Sequence, residues 1–242
     1  MNFGFAIAWQ VEMHAVPGIK SVAVAQKAVL DKDTDLLITC LSVLKEAIGQ
    51  MKKTLKRIFE HCSQDFFHPK LRVFLAGWKN NRNLPEGILY EGVSENPLQF
   101  SGGSAAQSTT FQLFDAALGV NHPKIKDGEQ TFLESMLDHM PRWHREFLLY
   151  VRSGPSIREY VLQSNDLKLQ QLYNKCLERL TEYRTDHIII AARYVTIQAT
   201  KKKNANLKML AKQGAGGTDL MPFLKGVRNE TSESKIPIAN GF

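Results

Sequence analysis

The 242-residue sequence predicts an all-α, multi-helical fold, and three observations carry that prediction. Between Ser164 and Thr200, apolar residues recur every three or four positions, which is the pattern of an amphipathic helix that buries one face. A second long stretch with the same spacing begins after Asp33 and Thr34, two residue types that cap helices. No stretch shows the alternation of apolar and polar residues that is typical of a strand, and no internal repeat is present.

Two prolines mark predicted boundaries in the first third of the chain. Pro17, followed by Gly18, is expected to end the apolar N-terminal helix, because proline removes a helical hydrogen bond. Pro69 is placed to begin an apolar helix after a junction at residues 64–70. The segments predicted here are helices at about 1–16, 19–30, 33–59 and 71–78, followed by a loop over the Asn-, Pro- and Gly-rich residues 79–103.

The remainder of the chain is also predicted to be helical. Ser104 and Gln107 have the spacing of a capping box, in which each side chain binds the other residue's backbone N–H. Pro222 is compatible with the first turn of the last helix. The predicted helices are at about 104–118, 129–139, 141–152, 155–163, 166–200, 207–212 and 219–228.

These elements predict one domain over residues 1–228 and a polar, mobile tail over 229–242. The chain begins inside an apolar helical segment that carries Phe3, Phe5, Ile7 and Trp9. A domain seldom begins inside a core helix, so we expect the chain to be the C-terminal part of a longer protein. Alone, this uncovered apolar surface predicts a chain that aggregates and has little activity.

Composition excludes several classes of protein. The net charge is +7, but no aromatic residues interleave with the one dense basic run, Lys201–Lys203, so no nucleic-acid partner is expected. No apolar run approaches the roughly 20 residues of a membrane span, and the N-terminus is not a signal peptide. Three cysteines without metal-ligand spacing favour a reducing compartment. We therefore expect a cytoplasmic monomer.

His187 lies on the apolar face of the long C-terminal helix, beside three isoleucines. An imidazole at such a position is either satisfied by a neighbouring side chain or bound to a ligand. The sequence has no HExxH or ExxH motif and no second histidine nearby, which favours haem over zinc or non-haem iron. Since CxxCH is also absent, a haem would be bound non-covalently.

Three charged residues within apolar surroundings have alternative interpretations. Arg72 either extends to water at the end of its helix or holds a carboxylate at the mouth of a pocket. Asp115 needs a partner, and the second nitrogen of a metal-ligating histidine is one option. Arg184, one turn before His187, either pairs with a surface carboxylate such as Glu178 or reaches an acidic group of a cofactor.

Two glycine-rich segments, 101–104 and 214–218, flank this helix in sequence. The first is a capped helix start, an anion-binding turn, or both. The second is a mobile loop that closes over a ligand or a plain flexible connection. Neither matches a nucleotide P-loop or a dinucleotide-binding turn.

Several blocks of this sequence together resemble the indoleamine 2,3-dioxygenase family, over nearly the whole chain. The block SGGSAAQS at 101–108 is the most specific. The sequence of these blocks resembles the second vertebrate-type paralogue of the family more than the first. The other blocks are LRVFLAGW at 71–78, GILYEG at 87–92, Phe111 with Phe114-Asp115, RTDH at 184–187 and GAGGTD at 214–219.

The resemblance implies a haem b enzyme that opens the indole ring of L-tryptophan, or a related indole, with O₂ to give N-formylkynurenine. It implies that His187 is the iron ligand and that Arg72 holds the substrate carboxylate. The other positions that it assigns are Phe67 beside the indole, Ser104 and Ala105 at the haem edge and substrate, Arg184 near a haem propionate, Asp115 behind the iron ligand, and Thr218 on the mobile loop.

The chain departs from the family pattern at specific positions. His68 stands where the family has a second aromatic residue next to the indole, and Gly4 and Ala8 stand where it offers an aromatic and a Ser or Thr. The resemblance also implies a small N-terminal domain that this stretch of sequence does not cover, in line with the expectation of a longer protein. Two alternative functions therefore remain: a haem oxygen-binding protein on the same fold, and a weakly active paralogue that acts by binding a partner.

Overall fold

The computed structural model describes residues 3–75, 77–79, 81, 83–122, 131–201 and 219–238. Within these ranges every regular element is helical, apart from a single-residue bridge between Ile88 and Leu98. The prediction of an all-α fold is therefore confirmed. The predicted helix at 207–212 and the loop at 214–218 lie outside the described residues.

The first two helices, α1 (Phe3–Asp31) and α2 (Thr34–Lys56), form a long hairpin that makes one side of the core. Asp33 begins α2 as the sequence predicts, since its Oδ1 accepts a hydrogen bond from the backbone N–H of Leu36 at 2.9 Å. The buried stripe of α2 follows the spacing of three and four seen in the sequence: Leu37, Cys40, Leu41, Leu44, Ala47, Ile48, Met51, Thr54 and Leu55.

The expected break at Pro17-Gly18 is wrong, because α1 runs through both residues. Pro17 has no N–H to donate to the carbonyl of Met13, and both residues are exposed, so the break in the hydrogen-bond pattern lies on the solvent side of the helix. Gly18 is buried, and a Cβ built on it would lie 3.1 Å from Ala47 Cβ and 3.1 Å from Phe114 Cζ. Gly18 is thus required for close packing of the helix and does not end it.

The chain then makes short turns in place of the predicted helix over 71–78. The segments are α3 (Ile58–His61), α4 (Gln64–Phe66), a π-helical turn (Phe67–Leu71) and α5 (Arg72–Leu75). Pro69 lies within the π-helical turn instead of starting a helix. The loop predicted over 79–103 is confirmed for its described residues, and Trp78, Tyr90 and Phe100 pack together there with ring centroids 5.8–6.2 Å apart.

The second half of the chain surrounds one long helix. This is α10 (Leu167–Ala191), which begins at the predicted cap Asp166 and packs between α2 and the last helix, α12. The other elements are a 3₁₀ turn (Ala105–Gln107), α6 (Thr109–Ala117), α7 (Phe132–Ser135), a 3₁₀ turn (Met136–His139), α8 (Arg142–Ser153), α9 (Ile157–Gln163), a π-helical turn (Ala192–Thr196), α11 (Ile197–Lys201) and α12 (Leu220–Glu233).

The C-terminal segment differs from the mobile tail expected from residue 229. Helix α12 continues to Glu233, Thr231 is fully buried, and Ile236 joins the core. The side chain of Asn174 donates to the carbonyl of Ile236 at 2.8 Å and accepts its N–H at 2.9 Å. Packing against the core therefore extends past the predicted boundary at residue 228.

The apolar N-terminal surface is divided between core and solvent. Ile7 is 2% exposed and belongs to the core, whereas Trp9 is 64% exposed. Phe3 and Phe5 are helical, and their side chains lie outside the described part of the structure. No helix in the described ranges is long and apolar enough to cross a membrane.

Candidate functional site

A cavity between α6, α10 and α12 brings several of the sequence-predicted residues together. It encloses about 100 Å³, or about 650 Å³ when the open space at its mouth is included. Its walls are mostly apolar. The lining residues are Ala105 and Ala106, then Phe111, Gln112 and Asp115 of α6, Leu133 of α7, Tyr183, Arg184 and His187 of α10, and Phe223, Leu224 and Val227 of α12.

His187 is half-buried at this cavity, and no hydrogen bond to its imidazole is present within the described residues. Burial, reinforced by the positive charge of Arg184, lowers the pKa of His187 below its usual value. The ring is therefore neutral at pH 7 and retains one nitrogen lone pair that can bind a ligand. Of the two interpretations of this histidine, the geometry favours the ligand-bound one.

The residues around His187 fit a haem better than a bare metal ion. The described residues contain no group of three His, Cys, Asp or Glu side chains able to hold an ion. A single neutral imidazole among apolar walls is the usual environment of a haem axial ligand. The enclosed volume, about 100 Å³, is below the roughly 300–1,000 Å³ of ligand pockets, so the fit rests on the chemistry of the lining residues and not on the size of the cavity.

Arg184 is buried and makes none of the surface contacts weighed from the sequence. Its Nη2 donates to Asp115 Oδ2 at 2.7 Å, and its Nη1 donates to the hydroxyl of Thr231 on α12. Burial alone raises the pKa of Asp115, but Arg184 and His122 outweigh it and hold that pKa below its usual value. The ion pair is therefore fully charged at neutral pH and joins α6, α10 and α12.

Asp115 contacts Arg184 and His122 rather than His187. His122 Nε2 lies 3.0 Å from Asp115 Oδ2, and His122 Nδ1 lies 2.5 Å from Glu230 Oε2. The other carboxylate oxygen, Asp115 Oδ1, is buried and has no hydrogen-bond partner among the described residues. Sequence reasoning missed His122, Glu230 and Thr231. The one local signal was a histidine seven residues after a buried aspartate.

The turn at Ser104 has the geometry that its sequence predicts. Ser104 Oγ accepts from the N–H of Ala106 at 3.2 Å, and Gln107 Oε1 accepts from the N–H of Ser104 at 3.2 Å, so the capping box is confirmed. The cap places Ala105 at the wall of the His187 cavity. Ser104 begins the turn and is not itself among the lining residues.

Arg72 and Phe67 are not among the residues that line this cavity. Arg72 is only 7% exposed, and burial lowers its pKa, so the interpretation as a side chain extended into water does not hold. Phe67 packs edge-on against Tyr194 with ring centroids 5.5 Å apart. Thr218 and the side chain of His68 lie outside the described residues.

Backbone contacts nevertheless tie the Arg72 helix to the turn at Ser104. The N–H of Gly103 donates to the carbonyl of Leu75 at 3.0 Å. A Cβ on Gly77 would lie 2.3 Å from Gly102 N and 2.3 Å from Phe100 O, a separation that only glycine allows. The two sequence blocks that flank the loop are therefore adjacent in space.

Comparisons with known proteins agree on one family. The model of the indoleamine 2,3-dioxygenase family matches residues 2–234. Indoleamine 2,3-dioxygenase 2 of Homo sapiens is 41% identical over 231 residues, which are 93% of this chain and 56% of that protein. Indoleamine 2,3-dioxygenase 1 of Mus musculus is 35% identical over 237 residues, which are 96% of this chain and 58% of that protein.

A relative with a different name also matches most of the chain. Myoglobin of Haliotis diversicolor is 34% identical over 225 residues, which are 92% of this chain and 58% of that protein. The chain thus spans a little over half the length of the curated relatives it matches.

Proposed function

This chain belongs to the indoleamine 2,3-dioxygenase family, and we propose that it is the haem-binding catalytic part of a tryptophan dioxygenase. The proposed reaction opens the indole ring of L-tryptophan, or a related indole, with O₂ to give N-formylkynurenine. The observation that carries the proposal is His187, a neutral imidazole without a partner among the described residues, at the wall of an apolar cavity. The domain that binds the cofactor is proposed to comprise residues 1–228 together with the packed segment 229–236.

The cofactor side of the proposal assigns roles to residues around the cavity. His187 would supply a nitrogen ligand to the iron of one non-covalent haem b, and Arg184, which Asp115 holds in place, would supply positive charge for its acidic groups. Ala105 and Ser104 form the turn at the edge of the cofactor. Bound haem would supply the activation of dioxygen, which no protein side chain provides.

The substrate side rests on Arg72 and its neighbours. A buried guanidinium binds a carboxylate in a bidentate, charge-assisted pair, and Arg72 is the residue proposed to hold that of tryptophan. Phe67 contacts the indole, Ser104 and Ala105 border it, and Thr218 closes over it. The protein orients the substrate and excludes water, and no side chain acts as a general acid or base.

We further propose a cytoplasmic monomer that binds no nucleic acid. The three cysteines, Cys40, Cys62 and Cys176, are all free thiols, which is the usual state in a reducing compartment. Cys40 is buried and Cys62 is half-buried. Cys176 is also buried, and burial raises the pKa of its thiol to about 12.

One alternative function has an observation in its favour. The relative named myoglobin implies that a protein of this sequence type can serve to bind oxygen, so a haem oxygen-binding protein remains the second candidate. Tryptophan-dependent oxygen consumption separates the two, because an oxygen carrier consumes none. A weakly active paralogue that acts through a partner would be recognised by a low haem content after purification.

The test is the variant His187→Ala, compared with His144→Ala, which removes an exposed histidine from α8. We expect His187→Ala to lose the Soret band after haem reconstitution and to form no N-formylkynurenine, because the iron loses its only protein ligand. His144→Ala should match the unsubstituted chain in both measurements. An unchanged Soret spectrum in His187→Ala would show that the ligand assignment is wrong.

A further inference from the structure

His122 stands between two carboxylates that belong to different helices. Its Nε2 is 3.0 Å from Asp115 Oδ2 at the end of α6, and its Nδ1 is 2.5 Å from Glu230 Oε2 on α12. The side chains of His122 and Asp115 are 17% and 6% exposed, so water has little access to that contact, and the side chain of Glu230 is 27% exposed. The sequence separation between His122 and Glu230 is 108 residues, so the contact is a tertiary one.

The two contacts require a particular charge on the imidazole. An ionised carboxylate only accepts hydrogen bonds, and a neutral imidazole has one N–H to donate. Both ring nitrogens of His122 face carboxylate oxygens, so both contacts form together only when the ring is an imidazolium. The histidine thus supplies a positive charge as well as two donors.

The surrounding charges are consistent with this state. Burial lowers the pKa of His122, but hydrogen bonds to Asp115 and Glu230 outweigh it, and the net pKa is raised above its usual value of 6.5. Arg184 opposes the raise through its own positive charge. Among the described residues, the charged groups that face His122 or share its polar cavity are Asp115 of α6, Glu134 of α7, Arg152 of α8, Arg184 of α10 and Glu230 of α12.

Helix α12 is the element that this arrangement holds. It contributes Phe223, Leu224 and Val227 to the wall of the His187 cavity, and Glu230 follows Val227 by one helical turn. We infer that His122, as an imidazolium, is a positioning residue that fastens α12 to α6 and so fixes that wall. The role toward a cofactor rests on the proposed function, whereas the fastening of α12 does not.

The pH dependence follows from the direction of the shift. A histidine whose pKa is higher in the folded chain than in the unfolded chain stabilises the fold fully below about 6.5. That stabilisation is lost as the pH rises through the raised value. Helix α12 should therefore be held firmly at pH 6 and less firmly at pH 9.

Hydrogen exchange of the haem-free chain tests the fastening directly. At pH 6, with rates corrected for intrinsic exchange, we expect the protection factors of amides in residues 220–233 to be about 10- to 100-fold lower in His122→Gln than in the unsubstituted chain. This is the effect of losing one hydrogen bond to a charged group. The unsubstituted chain should approach the same low protection at pH 9. Equal protection in the two proteins at both pH values would overturn the inference.

Two further variants separate charge from shape. His122→Arg keeps a positive charge and several donors at both pH values, so it should retain protection and lose the pH dependence. Glu230→Gln keeps the side-chain shape and removes one negative charge, so it should weaken α12 and bring the pKa of His122, followed by NMR, down. A His122→Arg chain as unprotected as His122→Gln would also overturn the inference.

Internal and matched controls distinguish local effects from global ones. Amides of α2, residues 34–56, should keep their protection in every variant, and His144→Gln should leave α12 unchanged. A haem titration of the same proteins gives the second measurement. Loss of α12 protection in His122→Gln supports the positioning role, whereas a lack of haem uptake by the unsubstituted chain contradicts the proposed function. Haem uptake by the unsubstituted chain together with unaltered α12 protection in His122→Gln supports the proposed function and overturns the positioning role.

Discussion

Two buried arginines, Arg72 and Arg184, have different environments, and the environment of each indicates a different role. Arg184 is paired with Asp115 and Thr231, so its charge serves first to join three helices. Arg72 follows a π-helical turn, a feature that often occurs at functional sites. Burial lowers the pKa of Arg72. A buried guanidinium binds a carboxylate strongly, because little water competes for its hydrogen bonds.

The variant Arg72→Leu tests the proposed substrate contact. We expect haem uptake to be unchanged and tryptophan binding to weaken by roughly 2–5 kcal/mol, the range for removing one partner of a buried charge pair. Titration of the haem-loaded chain with tryptophan measures this. Arg72→Lys keeps the charge but not the bidentate geometry, so its tryptophan affinity should lie between those of the unsubstituted chain and Arg72→Leu. Equal affinity in all three proteins would contradict the assignment.

The sequence predicts residues such as His187 and Asp33 but not the network around His122. The first two belong to local patterns, a helical face and a helix cap, that a few neighbouring residues define. The contacts Asp115–Arg184 and His122–Glu230 join residues 69 and 108 positions apart, and no local pattern records them. The polar composition around Glu230 also predicts a tail, although the residue lies on α12.

At the scale of elements, helix α1 shows why local breaker signals mislead. The Pro17-Gly18 pair reads as an end of a helix, yet Pro17 faces water and Gly18 faces Leu44, Ala47 and Phe114. Tertiary packing, which the sequence does not display, decides between the two readings. In the apolar run at 71–78, the α-helical turn spans Arg72–Leu75, and the backbone of Gly77 and Trp78 contacts residues 100–102 instead.

Two glycines within helices, Gly18 and Gly49, should respond oppositely to substitution. Gly18→Val should destabilise the chain by about 1–3 kcal/mol, because its Cβ would already lie 3.1–3.2 Å from three side-chain atoms. Gly49→Ala should stabilise it by about 1 kcal/mol, since nothing lies within 4 Å and alanine favours helix. Urea unfolding measures both. Gly49→Val is the matched control, and a loss there as large as at Gly18 would contradict the packing argument.

At the scale of the whole molecule, the C-terminal segment connects parts of the core that are distant in sequence. Ile236 is bound by Asn174 of α10, the carbonyl of Ser234 accepts from Arg158 of α9, and Thr231 accepts from Arg184. Residues after Arg228 therefore belong to the fold, although their polar composition predicts a tail. A polar composition indicates that a segment is exposed on average. It does not show that three of its residues bind specific side chains of the core.

A chain that ends at Arg228 tests this connection. We expect it to lose at least about 3 kcal/mol of stability, because the burial of Ile236 and several hydrogen bonds are lost together. A chain that ends at Ile238 keeps every one of the described contacts and should unfold at the same urea concentration as the full chain. Equal midpoints for the two shortened chains would show that residues 229–238 act as a tail.

The backbone link between residues 72–79 and 100–107 has a consequence for engineering. The carbonyl of Phe100 accepts from both Trp78 and Lys79 at 3.0 Å, and the contact at Gly77 leaves no clearance. The segment that carries Arg72 and the turn that carries Ala105 are therefore joined by direct backbone contacts. A redesign that moves the backbone of one segment is therefore expected to displace the other, so substitutions in the two segments have to be designed together.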